Sequence, residues 1–184
     1  MSEYLPFSVY ISARNEADRI GRAIESVHTI SDDIVVVTDG QSVDNTENIA
    51  RMAGARVVEN PWPGFGAQKY FAEGLCRHDW VLCLDADEYI TPDLVAEIRT
   101  VFVSGPMADF YEMKMVDVYP YATHPRILNK ATRGVRLFRK SKGRTSLSPV
   151  HDRVELPRGA VVARLHSPCW HYSIRSLSHL IQKY

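Results

Sequence analysis

Four short apolar runs, separated by stretches with helical spacing, constrain the fold of this chain more than any other feature. Phe7 to Ile11 (FSVYI), Ile34 to Val37 (IVVV), Val57 with Val58, and Trp80 to Leu84 (WVLCL) are rich in β-branched and aromatic residues and too short for buried helices. From Glu16 the period becomes helical, with Ile20, Ala23, Ile24 and Val27 on one face. Ile49, Ala50 and Ala53 begin a second helix that Gly54 can end, and a third resumes near Ala67 after the breakers Pro61, Pro63, Gly64 and Gly66. Thr91 is a good N-cap for a fourth helix towards Phe102, with Pro92 at its first position and Asp93 in its first turn. The order β-α-β-α-β-α-β-α predicts an α/β fold, a mostly parallel central sheet with helices on both faces.

After Gly105 the pattern changes. Phe110 to Val118 (FYEMKMVDV), Val135 to Arg139 (VRLFR) and Val161 to Leu165 (VVARL) read as strands with no clear helix between them, so this half is expected to extend the sheet with antiparallel strands and long loops. A chain of 184 residues, 45% hydrophobic, is the size of one domain; the expectation is a single domain over 1–184, with halves meeting near 104 and 105. Ser173 to Tyr184 is amphipathic, with Ile174, Leu177, Leu180 and Ile181 on one side, and stops in mid-pattern as a trimmed chain would. Lys plus Arg equals Asp plus Glu, 22 each, so no net field recruits nucleic acid or an anionic membrane. Three cysteines, one of them in an apolar strand, suit a reduced cytoplasmic setting, and no 20-residue apolar stretch provides a membrane span or signal peptide. Nothing in the sequence sets the oligomeric state.

Parallel sheets bind ligands at the carboxyl ends of their strands. Here those ends are SARNE (Ser12 to Glu16), TDGQSVD (Thr38 to Asp44) and DADE (Asp85 to Glu88), all polar. An oily strand that ends in Asp85, Asp87 and Glu88 needs a countercharge. Two carboxylates at i, i+2 suit Mg2+ or Mn2+, which keep open positions for phosphates; the alternative is that both cap the turn and face water. Gln68 and Lys69 follow a glycine-rich bend at a helix start, where free N–H groups favour an anion and a lysine could reach a diphosphate. GFGA lacks the GK[ST] ending of a P-loop. Asp39 reads alternatively as an Asx turn with Gly40, Asp44 as a helix N-cap, and Arg14 as a surface partner of Glu16 or Asp18. Arg136 and Arg139 point to opposite strand faces, so one of them can address the site; Arg136 is the candidate for a phosphate or acidic acceptor, the alternative being that both face water. Lys140, Lys142 and Arg144 form a basic loop that suits anionic headgroups or simply water.

The ordered segments strand-SARNE, strand-TDGQSVDNT, PWPGFGAQK and WVLCLDADE resemble the nucleotide-binding half of glycosyltransferase family 2, which has the GT-A fold. The nearest resemblance is to bacterial lipopolysaccharide core glucosyltransferases, whose comparable segments read KNE, DSGSTD, GFGxQKN and LDADE; it runs from about Phe7 to Tyr184. It implies a metal-dependent, inverting transfer of a hexose, glucose above others, from a nucleoside diphosphate sugar (UDP foremost) to a hydroxyl of a lipopolysaccharide-core or lipid-linked saccharide. It places Arg14, Asn15 and Asp39 at the base and ribose, Gln68, Lys69 and Asp85 on the rest of the donor, and Asp85 and Asp87 on the divalent metal. "SPVHDRV" resembles a VHE segment, with Asp152 where relatives carry Glu. Asp152 is then the candidate base and Glu88 its rival. His151 reads either as a donor to the acceptor or as a structural histidine, with Arg136 beside it on the acceptor side. His171 in "CWHYSIRSL" resembles a late metal-ligating histidine, with His166 competing for the role. Such an enzyme would work in the cytoplasm, peripherally on the inner membrane. Two other readings stay open: a sugar nucleotidyltransferase, whose usual glycine-rich basic loop SARNE lacks, and a nucleotide-sugar or glycan-binding protein without turnover.

Overall fold

The structure is a computed structural model and describes residues 4–120, 122–126, 129–149 and 152–176. Its strands are β1 (Phe7–Ser12), β2 (Asp33–Thr38), β3 (Arg56–Glu59), β4 (Trp80–Asp85), β5 (Glu88–Ile90), β6 (Phe110–Asp117), β7 (Ala131–Arg139), β8 (Arg144–Thr145), β9 (Val154–Glu155) and β10 (Val162–His171). The helices are α1 (Ile20–His28), α2 (Thr46–Met52), α3 (Phe65–Gly74) and α4 (Pro92–Ser104). Eight strands form one sheet in the order β3-β2-β1-β4-β7-β6-β10-β5, and β8 pairs with β9 in a small ribbon.

Strands β3, β2, β1 and β4 run parallel, so the first half has the expected doubly covered core. Side-chain alternation in β1 divides the two faces. Phe7, Val9 and Ile11 pack with Ile24 and Val27 of α1, Ala50 of α2, and Leu94 and Ile98 of α4. Tyr10 points the other way, against Val35, Val37, Cys83 and Ala72 of α3. Thr91 caps α4 as read, its Oγ1 accepting from Leu94 N at 3.2 Å. Gly54 closes α2 with φ +89°, the left-handed region that glycine enters without strain.

The second half departs from the antiparallel expectation. β7 is antiparallel to both β4 and β6, but β10 then pairs with β6 in parallel. Parallel pairing depends on partners far apart in sequence, and no local pattern announces it. β10 also continues to His171, past the expected end at Leu165, with an irregularity between Arg164 and Pro168 where proline lacks an N–H for the ladder. The short β5 was not expected. Two other boundaries shift. α1 begins at Ile20 because the Glu16 carbonyl first closes a turn on Arg19 N (2.9 Å) and Ile20 N (2.8 Å). α2 starts at Thr46, which puts Asn45 and not Asp44 at the N-cap position, with no side-chain bond to the helix; Asp44, one residue earlier, accepts from Thr46 N (3.0 Å) and Ala17 N (3.1 Å).

One buried polar clamp fixes the second half to the first. Tyr10 Oη meets Thr145 Oγ1 at 2.9 Å, and Thr145 N and Oγ1 both donate to Glu73 Oε2 at 2.8 Å. Arg144 pairs with the other Glu73 oxygen and lies over the Tyr70 ring. The strand β8 is thereby held against α3, and the chain after it crosses the start of that helix. Gly66 permits the crossing, since a Cβ there would stand 2.2 Å from the Ser146 carbonyl oxygen and 2.5 Å from that of Ser148. This close approach aims the segment carrying Asp152 at α3.

Candidate functional site

A cleft of about 620 Å3 opens at the carboxyl ends of β1, β2 and β4, lined among others by Ser12, Asp39, Lys69, Asp87, Asp152 and His171. The three polar strand ends singled out in the sequence meet here.

At the β1–β2 side, Asp39 has a side chain only 1% exposed. Its Oδ1 accepts from Gln41 N at 3.0 Å, the Asx turn, while Oδ2 has no donor aligned with it, although Arg14 Nη1 lies 3.1 Å away. Arg14 therefore pairs with Asp39 and not with Glu16 or Asp18. Asn15 sits at φ +54°, a region that asparagine tolerates, and its Oδ1 accepts from Val43 N at 2.9 Å, which ties the loop after β1 to the loop after β2. Gln68 is buried and fully engaged: its amide donates to the carbonyls of Thr38 (3.3 Å) and Asn60 (3.2 Å) and accepts from Asn60 Nδ2 at 2.7 Å. In this arrangement Gln68 braces the loop. The N–H expected to be free at the start of α3 is also used, Gly66 N donating to Ser148 O at 3.0 Å.

The charge at the end of β4 is neutralised from two directions. Lys69, buried on α3, donates to Asp85 Oδ1 at 2.5 Å and to Asp152 Oδ2. Arg136 on β7 reaches Asp85 Oδ2 and Glu88 Oε1, each at 3.1 Å. Glu88 is 2% exposed and its second oxygen accepts from Asp85 N at 2.9 Å. Burial is the largest influence and opposes the charge on Lys69, but Asp85 and the other negative groups facing it, Asp152 among them, together outweigh burial and hold the ammonium protonated well above its ordinary range. Burial likewise pushes the Asp85 carboxyl up, and Lys69 and Arg136 bring it far below the usual range. For Glu88 burial wins over Arg136, and its pKa is raised. The expected divergence of the two arginines is found, because Arg139 turns outward to Asp109 (3.0 Å) and Asp79 (3.7 Å). The basic loop is largely engaged as well, since Lys140 donates to Cys76 O at 2.5 Å and Arg144 holds Glu73.

Asp87 lies on the other side of the turn. His171 Nε2 stands 3.5 Å from its Oδ2, and His171 Nδ1 is 2.9 Å from Asp117 Oδ1. Burial lowers the His171 pKa, but Asp87, Glu88 and Asp117 raise it to about 9. A carboxylate together with an imidazole that a second carboxylate orients is a competent donor set for Mn2+ or Mg2+ once the cation displaces the Nε2 proton. Asp85 joins that pair only if Lys69 or Arg136 gives up its contact, and among the described residues no three such donors already stand together. His166 is exposed and does not line the cleft, so His171 is the histidine that the fold brings to Asp87. His151 and Leu177 lie outside the described residues.

Sequence reasoning missed three of these partners. Arg19 pairs with Glu16, donates to Tyr172 O at 2.8 Å and stands 3.5 Å from Asp87; its i, i+3 spacing from Glu16 was the available signal. Arg175 reaches back to Glu16 (3.0 Å), Asp18 (3.1 Å) and the Asn15 carbonyl (2.6 Å). Neither Arg175 nor Asp117 carried any local mark.

The sequence profile of Glycosyl transferase family 2 matches residues 8–154. An uncharacterized glycosyltransferase of Rickettsia bellii is 38% identical over all of this chain, and a lipopolysaccharide core biosynthesis glycosyltransferase, LpsC, of Rhizobium meliloti is 30% identical over 85% of it. The chain spans 66% and 59% of the lengths of these two relatives. Among solved structures, a mannosyltransferase of Pyrobaculum calidifontis in complex with GDP-Man and Mn2+ superposes with a TM-score of 0.62 at 13% identity, covering 98% of this chain and 60% of that one. That likeness identifies the architecture as the GT-A fold, a mixed α/β domain with a curled, mostly parallel sheet.

Proposed function

Because this chain belongs to glycosyltransferase family 2, we propose that it transfers a hexose, glucose foremost, from a nucleoside diphosphate sugar to a hydroxyl of a lipopolysaccharide-core or lipid-linked saccharide, with inversion at the anomeric carbon. The observation that carries the reading is one cleft lined both by a buried acceptor oxygen, Asp39 Oδ2, and by the Lys69, Asp87 and His171 side chains that suit a diphosphate and its cation. Asp39 would accept the imide N–H of uracil, or the ring N–H of guanine. The core-biosynthesis relative supports the acceptor class. No helix among the described residues is long and apolar enough to cross a membrane, which suits a cytoplasmic enzyme that meets its acceptor at the membrane surface.

Asp87 and His171 would hold the divalent metal, which supplies Lewis-acid stabilisation of the leaving diphosphate. The remaining steps belong to the chain. Lys69, held protonated, meets the charge that develops on the departing phosphate oxygen. Asp152 takes the proton of the acceptor hydroxyl as that oxygen bonds to the anomeric carbon and the carbon–phosphate-oxygen bond breaks, the electron pair leaving with the diphosphate. Asp152 is favoured over Glu88 because it is exposed at the cleft and Lys69 engages just one of its oxygens among the described residues, whereas Arg136 and the Asp85 N–H engage both oxygens of the Glu88 carboxylate. Glu88 then serves to set the turn between the two aspartates.

Calorimetry with UDP and GDP, with and without Mn2+, followed by hexose transfer assays on wild type and Asp87→Ala, tests the proposal. Metal-dependent nucleotide binding in the wild type, lost in the variant together with transfer, is expected. Transfer by Asp87→Ala with unaltered metal dependence would remove the metal-site assignment, and no binding of either nucleotide would remove the donor reading.

A further inference from the structure

A second cleft, of about 230 Å3, lies behind Asp87, bounded by the first turn of α1, the β4–β5 turn and the segment after β10. Its lining includes Arg22, Tyr89, Tyr119 and Tyr172, and it shares Asp87 with the larger cleft. The Arg22 guanidinium carbon stands 4.5 Å from the centroid of the Tyr89 ring and 4.5 Å from that of Tyr172. Two ring faces therefore hold the cation, and its edge N–H groups have no hydrogen bond or ion pair among the described residues.

The neighbouring carboxylates do not compensate it. Asp18 is paired with Arg175 at 3.1 Å, Asp87 with Arg19 and His171 at 3.5 Å each, and Glu88 with Arg136 at 3.1 Å. Arg22 is thus the cation of this cleft that meets no carboxylate among the described residues. Stacking on aromatic faces costs a guanidinium none of its in-plane donors, which match the two oxygens of a carboxylate or phosphate. Tyr119, 40% exposed, adds a further ring to the rim. Rings beside a fixed anion-binding fork suit a ligand with an apolar face, hydroxyls and one negative group.

We propose that this cleft is a subsite for an anionic monosaccharide unit of the acceptor, a sugar ring bearing a carboxylate or a phosphate, which Arg22 recognises by a forked hydrogen bond. The assignment of the ligand to the acceptor rests on the glycosyl-transfer reading, because the shared Asp87 wall joins this cleft to the proposed donor site. It leaves the attacked hydroxyl to the other side of that wall.

The test is an NMR titration of the intact chain with glucuronate, glucose 6-phosphate and uncharged glucose, repeated with Arg22→Gln and Arg22→Lys. At least one anionic sugar should shift the Arg22, Tyr89 and Tyr172 signals, bind at least tenfold more weakly to Arg22→Gln, and fall between for Arg22→Lys, which keeps the charge but not the planar fork. Arg22 is exposed on α1, so both variants should fold and bind UDP with Mn2+ as the wild type does. Equal binding of glucose, or anion affinity unaffected by Arg22→Gln, overturns the subsite. Phosphatidylglycerol vesicles that capture the wild type and not Arg22→Gln, with no response to the soluble sugars, overturn the saccharide in favour of a lipid headgroup. Failure of both UDP and GDP to bind the wild type would defeat the donor reading separately, while the sugar titration remains interpretable.

Discussion

Replacing Gly66 by alanine isolates the contact that delivers Asp152 to Lys69. The added methyl would stand 2.2 Å from the Ser146 carbonyl oxygen, and ordinary contact begins at 3.4 Å, so backbone must retreat by about 1.2 Å. Neither obstacle is a flexible side-chain end. The retreat also strains the Gly66 N to Ser148 O bond, now 3.0 Å, and exposes two buried groups to loss of their partners. Overpacking of this kind costs about 1–3 kcal/mol, and the better helix propensity of alanine returns at most about 1 kcal/mol. A net loss of about 1–2 kcal/mol is expected, a fall in Tm of roughly 2–8 °C for a chain of this size. The functional loss should exceed that. A misplacement of about 1 Å at a reacting group costs on the order of 100-fold in rate, so transfer should drop by that factor in the folded variant. Gly74→Ala in the same helix is the control: nothing lies within 4 Å of its added methyl, and it should leave the protein as stable or raise its stability by up to about 1 kcal/mol. Urea unfolding and transfer assays on both variants decide the matter. If Gly66→Ala is as stable and as active as Gly74→Ala, the loop does not depend on this close approach and the account of how Asp152 is positioned is wrong.

Lys69→Met should reduce transfer by about 10²–10³, the usual effect of losing one charge-stabilising donor, at a stability cost of only about 1–2 kcal/mol because water reaches Asp85 and Asp152. A wild-type rate in that variant would confine Lys69 to a structural role. Asp33 gives a pH prediction. Burial raises its pKa, but the Arg77 N–H (2.8 Å), the Ser8 hydroxyl (2.6 Å) and Arg56 (3.2 Å) together hold it below the ordinary value. A depressed folded pKa contributes stability that is complete above the unfolded value, about 3.9, and is lost as pH falls through the folded one. Asp33→Asn should therefore be less stable by about 1–3 kcal/mol at neutral pH, with the gap to wild type narrowing as urea titrations go below about pH 4; a constant gap would contradict the sign. Thr91→Ala should cost about 1 kcal/mol through the lost cap on Leu94 N and the lost bond to Pro168 O, and Thr91→Ser should recover most of it in thermal melts.

Local patterns made the first half legible. A strand of alternating burial and a helix of repeating apolar face each need only a few consecutive residues, and FSVYI, IVVV and WVLCL announce β1, β2 and β4 in that way. The polar strand ends followed, because a parallel sheet presents them together. Asp85, Asp87 and Lys69 follow for the cleft from the strand end and the helix start, and Asp39, His171 and Asp152 from the family resemblance. The partners each one holds were not legible. Lys69 meets Asp152 across 83 residues and Tyr10 meets Thr145 across 135. Arg136 carried a correct face but not its anchors, and Gln68 was read as a donor contact although its amide is spent on Thr38 and Asn60.

By itself, then, the amino-acid order determined which segments would be strands and helices, that they would form a parallel-cored α/β sheet, and which strand ends would be charged. Only the tertiary structure decided how that charge is balanced, by Lys69 and Arg136 around Asp85 and by Arg19 and His171 beside Asp87. Secondary structure follows from periodicities of two and 3.6 residues that any short window contains. Ion pairing follows from distances of a few ångströms between chain segments, which exist only once the sheet has brought those segments together.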